Sequence, residues 1–192
     1  MTVDELLPML VAKGVGYDAD VDMAIAKIPD GLCCEFGVQA GRTLWQFADR
    51  LAPRIIYGFD SFEGLPEDWC GAAPKGSFKT DHTAQNWPPN SELVIGLFQD
   101  TLKPFLRTHD APIAFAHMDA DLYSSTKYVL NIVTDRLAPG AILIFDEIIG
   151  DKPCHDNEAR AFAEWITETG LQFKVIGMRH RKSAIFQINQ PE

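Results

Sequence analysis

The chain has 192 residues and a formal net charge of −10, with 46% hydrophobic and 23% charged residues. This length suits one domain over residues 1–192, with a core that needs neither a structural metal nor a disulfide framework. The acidity excludes a protein that grips a phosphate backbone, because the densest basic run is only Arg179–Lys182. The four cysteines, Cys33, Cys34, Cys70 and Cys154, show no Cys-x-x-Cys spacing. The N-terminus carries early acids and no basic leader, and no apolar run reaches membrane-span length. A cytoplasmic location with no membrane and no nucleic-acid partner is the expectation.

Residues 1–30 read as two short N-terminal helices. A wholly apolar strand over 31–37 follows, and then 42–52, where Leu44, Trp45, Phe47, Ala48 and Leu51 fall at helical spacing. A second strand spans 54–60. The stretch 61–90, rich in Gly, Pro, Trp and Phe, is too long for an idle connection and reads as a lid or substrate loop. Phe62, Trp69, Phe78 and Trp87 could close over a substrate or pack the loop onto the body. Three more strand–helix pairs succeed one another: 91–98 with 100–109, 112–119 with 122–137, and 140–147 with 157–170. Two strands joined by a polar turn end the chain over 172–188. The alternation predicts an α/β fold with a seven-stranded, mainly parallel sheet and a C-terminal antiparallel hairpin.

In such sheets the ligand lies beyond the carboxyl ends of the strands. Glu35, Asp60, Asp119, Asp146 and Glu147 all fall at or near those ends and should line one crevice. The first turn, "EFGVQAGRT", carries Gly37 and Gly41 without the nicotinamide fingerprint or the Lys-Ser/Thr of a P-loop. An acid beside a glycine turn favours a ligand with positive charge. S-adenosylmethionine, with its ammonium and sulfonium, fits. Asp60 is placed to accept hydrogen bonds from ribose hydroxyls, and Asp100 to receive an adenine amino group.

Asp119, Asp146 and Glu147 could meet across neighbouring strands. Three converging carboxylates repel, and a divalent cation with oxygen ligands, Mg²⁺ or Ca²⁺, relieves that. The alternative is that Asp119 only contacts the cofactor while Asp146 and Glu147 cap a helix in a solvated loop.

The runs "EFGVQAGRT", "YGFDSFEGLPEDW", "GLFQDTL", "HMDADLYSSTKYVL" and "APGAILIFDEIIG" with "NEARAFAEW" resemble the macrocin O-methyltransferase family, over about residues 31 to 165. The resemblance implies a Rossmann-like class I fold and S-adenosylmethionine-dependent methylation of a hydroxyl on a small molecule, often a sugar in natural-product biosynthesis, with Mg²⁺. It places cofactor binding on Glu35, Gly37, Gly41, Thr43, Asp60, Ser61, Asp100 and Asp119. The metal falls on Asp119, Asp146 and Glu147, where the family usually has Asp at the last position. The N-terminal region is shorter than the family's, so the acceptor does not carry over. A related catechol-type lysine base is replaced by Leu122. Asp119 and His180 are taken as the catalytic pair; His155 could also reach the crevice mouth, and His117 reads as a core histidine. The expected partners are a small-molecule acceptor and, in assembly, a homodimer. The competing readings are a metal-independent methyltransferase and a non-catalytic cofactor-binding module.

Overall fold

The computed structural model describes residues 1–14, 16, 18–71, 73–150 and 157–190. Helices α1 (Val3–Val11) and α2 (Asp18–Ile25) precede β1 (Leu32–Phe36). The chain then runs α3 (Arg42–Leu51), β2 (Ile56–Asp60), β3 (Ser91–Ile95), α4 (Phe98–Thr108), β4 (Ile113–Met118), α5 (Tyr123–Val133), β5 (Leu137–Phe145), α6 (Asn157–Thr169), β6 (Gln172–Arg179) and β7 (Ser183–Asn189). One sheet of seven strands has the order β3-β2-β1-β4-β5-β7-β6. The pairings among β1 to β5 are parallel, and β7 runs antiparallel to both β5 and β6. This is the α/β arrangement expected from the sequence, hairpin included.

Period-two alternation splits the core into two layers. Cys34, Phe36, Met118, Leu143 and Phe145 face α1, α4, α5 and α6, where Leu10, Phe105, Leu130 and Trp165 meet them. Cys33, Phe115, Ile142 and Ile144 face α2 and α3, against Val21 and Phe47. Trp165 is fully buried, so Trp165→Ala should cost about 3–5 kcal/mol. Helix α1 starts in a capping box, with Thr2 and Glu5 satisfying each other's backbone N–H groups.

Boundaries around β3 and β5 differ from expectation. Strand β3 stops at Ile95 because Gly96 takes a φ of +139°, and α4 begins at Phe98 rather than Asp100. Strand β5 starts early, at Leu137, and ends before the acids at 146 and 147. Cys70 is disulfide-bonded, a pairing the spacing gave no sign of. Cys33 and Cys34 are buried free thiols, and Cys154 lies outside the described residues. Burial raises the Cys33 thiol to about 11, which makes it unreactive. Among the described residues, no helix is long and apolar enough to cross a membrane.

Candidate active site

The crevice at the carboxyl ends of the strands is a cavity of about 510 Å³. Its walls come from the β1–α3 turn, the end of β2, the start of α4 and the end of β4. Gly37, Thr43, Asp60, Ser61, Asp119 and Asp146 line it, as expected from the sequence.

The glycine turn is held from below by Asp60. Its Oδ2 accepts the N–H groups of Val38 and Gln39 at 2.8 Å each, and its Oδ1 accepts that of Phe62 at 2.7 Å. A carboxylate offers about four lone-pair sites. Three are spent on the backbone, so Asp60 retains one acceptor site rather than a free pair for a ribose. The two glycines also answer to packing. At Gly37 a Cβ would lie 1.7 Å from the Asp119 carbonyl oxygen, and at Gly41 it would lie 2.5 Å from the Trp87 ring. Gly41 does not face the cavity, and neither does Asp100, which sits exposed in the first turn of α4. Gly96, Leu97, Phe98 and Gln99 form that wall instead.

Glu35 is not a wall residue. It is fully buried in β1, and its Oε1 meets His117 Nδ1 at 2.9 Å. The parallel register sets Glu35 beside His117 across β1 and β4. His117 is a core histidine in burial, but its Nε2 has no hydrogen-bond partner and points toward Asp146 Oδ1, 3.9 Å away. Desolvation would lower its pKa, yet the Asp146 and Glu35 carboxylates win and raise it to about 10.

Around this histidine the acids gather. His117, Asp119 and Asp146 offer ligand atoms all within 4.8 Å of one another. Burial raises Asp119 to about 8, reinforced by Asp146 and moderated by His117. Burial likewise raises Asp121 to about 7, helped by Glu147 and Asp146. Asp146 is lowered, because contacts with His117, Arg179 and Ser183 outweigh its own desolvation. Arg179 Nη1 stands 3.5 Å from Asp146 Oδ1, and its guanidinium lies over the Phe47 ring.

Glu147 is not one of the three convergent ligands, although its charge acts on Asp121. Alternation continues past the end of β5, so Asp146 follows Ile142 and Ile144 to the α3 side while Glu147 turns the other way. There its carboxylate meets Lys182 at 3.4 Å, and its N–H donates to Glu158 Oε2 at 3.1 Å. The expected trio of Asp119, Asp146 and Glu147 is therefore corrected to Asp119 and Asp146, with His117 beside them. Asp119 and Asp146 offer carboxylate oxygens that suit a divalent cation, and the buried His117 Nε2 becomes a further donor only where the cation's charge displaces its proton. His180 is displaced too. It sits exposed at the hairpin turn with a φ of +60°, outside the cavity. His155 lies outside the described residues.

A model of a methyltransferase domain matches residues 34–148. The chain belongs to that family. It is an S-adenosylmethionine-dependent methyltransferase, in keeping with the motif resemblance. The solved structure of CalS11, a calicheamicin methyltransferase, is 26% identical with a TM-score of 0.70, covering 95% of this chain and 79% of that one. CalS11 is elsewhere described as a TDP-rhamnose 3'-O-methyltransferase. The O-methyltransferase NovP shares the fold at 18% identity and a TM-score of 0.65, covering 91% of this chain and 79% of its own. TomG from Streptomyces achromogenes, solved with S-adenosylmethionine, shares it at 14% and 0.60, over 91% and 80%. No curated protein sequence matches the chain significantly.

The enzyme holds three site residues that the sequence reading passed over. Asp121 lines the cavity at a φ of +56°. Its only signal was a second acid just past the end of β4. Glu158 is buried in the first turn of α6, where desolvation raises it well above an ordinary carboxyl. Arg179 is buried at the end of β6. A charged residue closing an apolar strand was its only sign.

Proposed function

We propose that the enzyme transfers the methyl group of S-adenosylmethionine to a hydroxyl of a small molecule, a sugar or related natural product, with a divalent cation such as Mg²⁺ at Asp119 and Asp146. The observation that carries this reading is the junction of the two halves of the cavity. The cofactor walls and the carboxylates Asp119, Asp121 and Asp146 line one space. The sugar class rests on CalS11, described as acting on TDP-rhamnose, a sugar carried on a nucleoside diphosphate.

A bound cation would supply charge that holds an acceptor hydroxyl and lowers its pKa. The rest falls to the chain. Asp121 lines the cavity with Asp119 and Asp146, its carboxyl raised by burial to about 7, and takes the hydroxyl proton as general base. The acceptor oxygen forms its bond to the methyl carbon as the carbon–sulfur bond breaks, and the electron pair returns to sulfur. In-line placement of the two reactants provides much of the acceleration. The segment 61–90 shapes the acceptor side. Phe62 and Trp87 pack onto the body, whereas Phe78 lines the cavity and is 44% exposed.

A metal-independent form of the same reaction has one observation in its favour. Arg179, His117 and Ser183 already surround Asp146 Oδ1. EDTA separates the two: abolished turnover, restored by Mg²⁺, supports the cation, and full turnover in EDTA supports its absence. Failure to convert S-adenosylmethionine with any hydroxyl acceptor would overturn the O-methyl assignment.

A further inference from the structure

Arg179 closes β6, an edge strand of the sheet, yet it reaches an acid that follows β5. The register explains how. Phe145 pairs with Ala184, and Ser183 pairs with Arg179. Ser183 in β7 therefore has Arg179 on one flank and Asp146, one residue past Phe145, on the other. Its Oγ donates to the Asp146 carbonyl. Ile144 and Ile185 lie two residues away in the same strands and belong to the α3 side of the core, so alternation brings this row out on that side as well. Asp146, Ser183 and Arg179 form a polar ladder across three strands.

The ladder ends on α3. Arg179 Nη2 donates to Gln46 Oε1, Nη1 stands 3.5 Å from Asp146 Oδ1, and the guanidinium carbon lies 5.5 Å from the centre of the Phe47 ring. Gln46 is one helical turn beyond Arg42 and Thr43, which line the cofactor cavity. The planar fork of one buried side chain thus joins α3 to the acid centre.

The contacts on the Asp146 carboxylate all fall on one oxygen. Oδ1 faces Arg179, Ser183 Oγ at 3.3 Å and His117 Nε2 at 3.9 Å. Among the described residues nothing pairs with Oδ2, and Asp146 lines the cavity. The carboxylate is held by one edge and offered by the other. By charge alone, a guanidinium this close opposes a cation at Asp146. What it contributes is position.

We propose that Arg179 is a positioning residue: anchored on Gln46, it pins Oδ1 of Asp146 and so presents Oδ2 to the divalent cation. The proposal rests on the cation reading above and adds how that ligand is fixed.

The test is calorimetric titration of Mg²⁺ at fixed pH and ionic strength into wild type, Arg179→Met and Gln46→Ala, each saturated with S-adenosylhomocysteine, whose own binding is titrated in parallel. Charge and position predict opposite signs. Removing a nearby positive charge tightens Mg²⁺ binding, whereas removing the pin weakens it. Arg179→Met should weaken Mg²⁺ about tenfold or more, and Gln46→Ala, which changes no charge, about threefold, because residues that orient a metal ligand govern its affinity. S-adenosylhomocysteine should stay within about threefold of wild type in both, because neither change touches the walls at the ends of β1 and β2. Equal or tighter Mg²⁺ binding in Arg179→Met, or unchanged binding in Gln46→Ala, overturns the proposal. Loss of S-adenosylhomocysteine binding in Arg179→Met would mark a folding defect, and Gln46→Ala then decides by the same two titrations. Wild type that binds S-adenosylhomocysteine but no Mg²⁺ overturns the cation reading and the proposal with it, whereas equal Mg²⁺ affinity in all three proteins overturns the proposal alone.

Discussion

At the ends of β1 and β2 the crevice's polar groups are satisfied by neighbouring backbone, whereas at the ends of β4 and β5 they are met by charges from distant parts of the chain. Asp60 spends its carboxylate on Val38, Gln39 and Phe62, and shows the structure of a fixed support. Asp146 is surrounded by His117, Ser183 and Arg179, from β4, β7 and β6. The first arrangement shapes a pocket with little electrostatic tension. The second keeps Asp119 and Asp121 above the ordinary carboxylate range, and perturbed acids in a cleft mark the chemical end of a site.

If the two regions divide labour in this way, substitutions should separate turnover from cofactor affinity. The largest effect belongs to Asp146→Asn. It keeps the shape and removes the charge, and kcat should fall by about a thousandfold, roughly 4 kcal/mol of barrier. Steady-state kinetics with calorimetry in parallel should find S-adenosylhomocysteine affinity within about threefold of wild type. Asp60→Asn should do the reverse. One oxygen becomes a donor that cannot accept the Val38 and Gln39 N–H groups, and charge-assisted bonds are worth about 1.5–3 kcal/mol each. Cofactor affinity should drop about tenfold or more, with kcat at saturating cofactor largely kept.

Proton linkage sharpens the contrast. Asp119 and Asp121 hold protons more tightly folded than unfolded, so they cost nothing below about pH 4, erode stability as pH rises from there, and reach their full cost once pH has passed about 8 and about 7. His117, raised to about 10, contributes fully below its ordinary value and is lost as pH climbs through 10. Asp146, lowered, contributes above about pH 4 and is lost only below it. Metal-free protein should therefore melt lower at pH 8 than at pH 5, and Mg²⁺ should raise the melting temperature more at pH 8. Equal melting temperatures would show that the acids are not held against solvent. The smallest effect is Glu147→Gln. Its carboxylate pairs with Lys182 and reaches the cluster only through its charge on Asp121, so maximal turnover should change by less than about threefold in the same kinetic assay, with the pH profile moved to lower pH.

The same division explains what could be read from the sequence. Strand ends, the glycine turn and Asp60 follow from local pattern, so the sheet and the crevice walls at the ends of β1 and β2 were legible. The acid centre depends on which side of the sheet each residue takes and on what arrives from elsewhere. Adjacent letters made Asp146 and Glu147 look like a pair, yet alternation sends them to opposite sides. Glu35 seemed a cofactor acid until the register set it beside His117. Glu158 gave no sign of its role and Arg179 only that of a charge closing an apolar strand, because nothing local fixes where β6 and α6 meet β5. Asp100 missed the cavity by one residue, since Gly96 ends β3 early and the helix turns it outward.

The most direct test of the central claim is calorimetric titration of Mg²⁺ into wild type and Asp146→Asn, each first saturated with S-adenosylhomocysteine. The account predicts that both bind S-adenosylhomocysteine, that wild type binds Mg²⁺ at one further site, and that the variant loses that site alone. Equal Mg²⁺ binding in the two proteins would contradict the acid centre at β4 and β5, and failure of wild type to bind S-adenosylhomocysteine would contradict the crevice as a cofactor site.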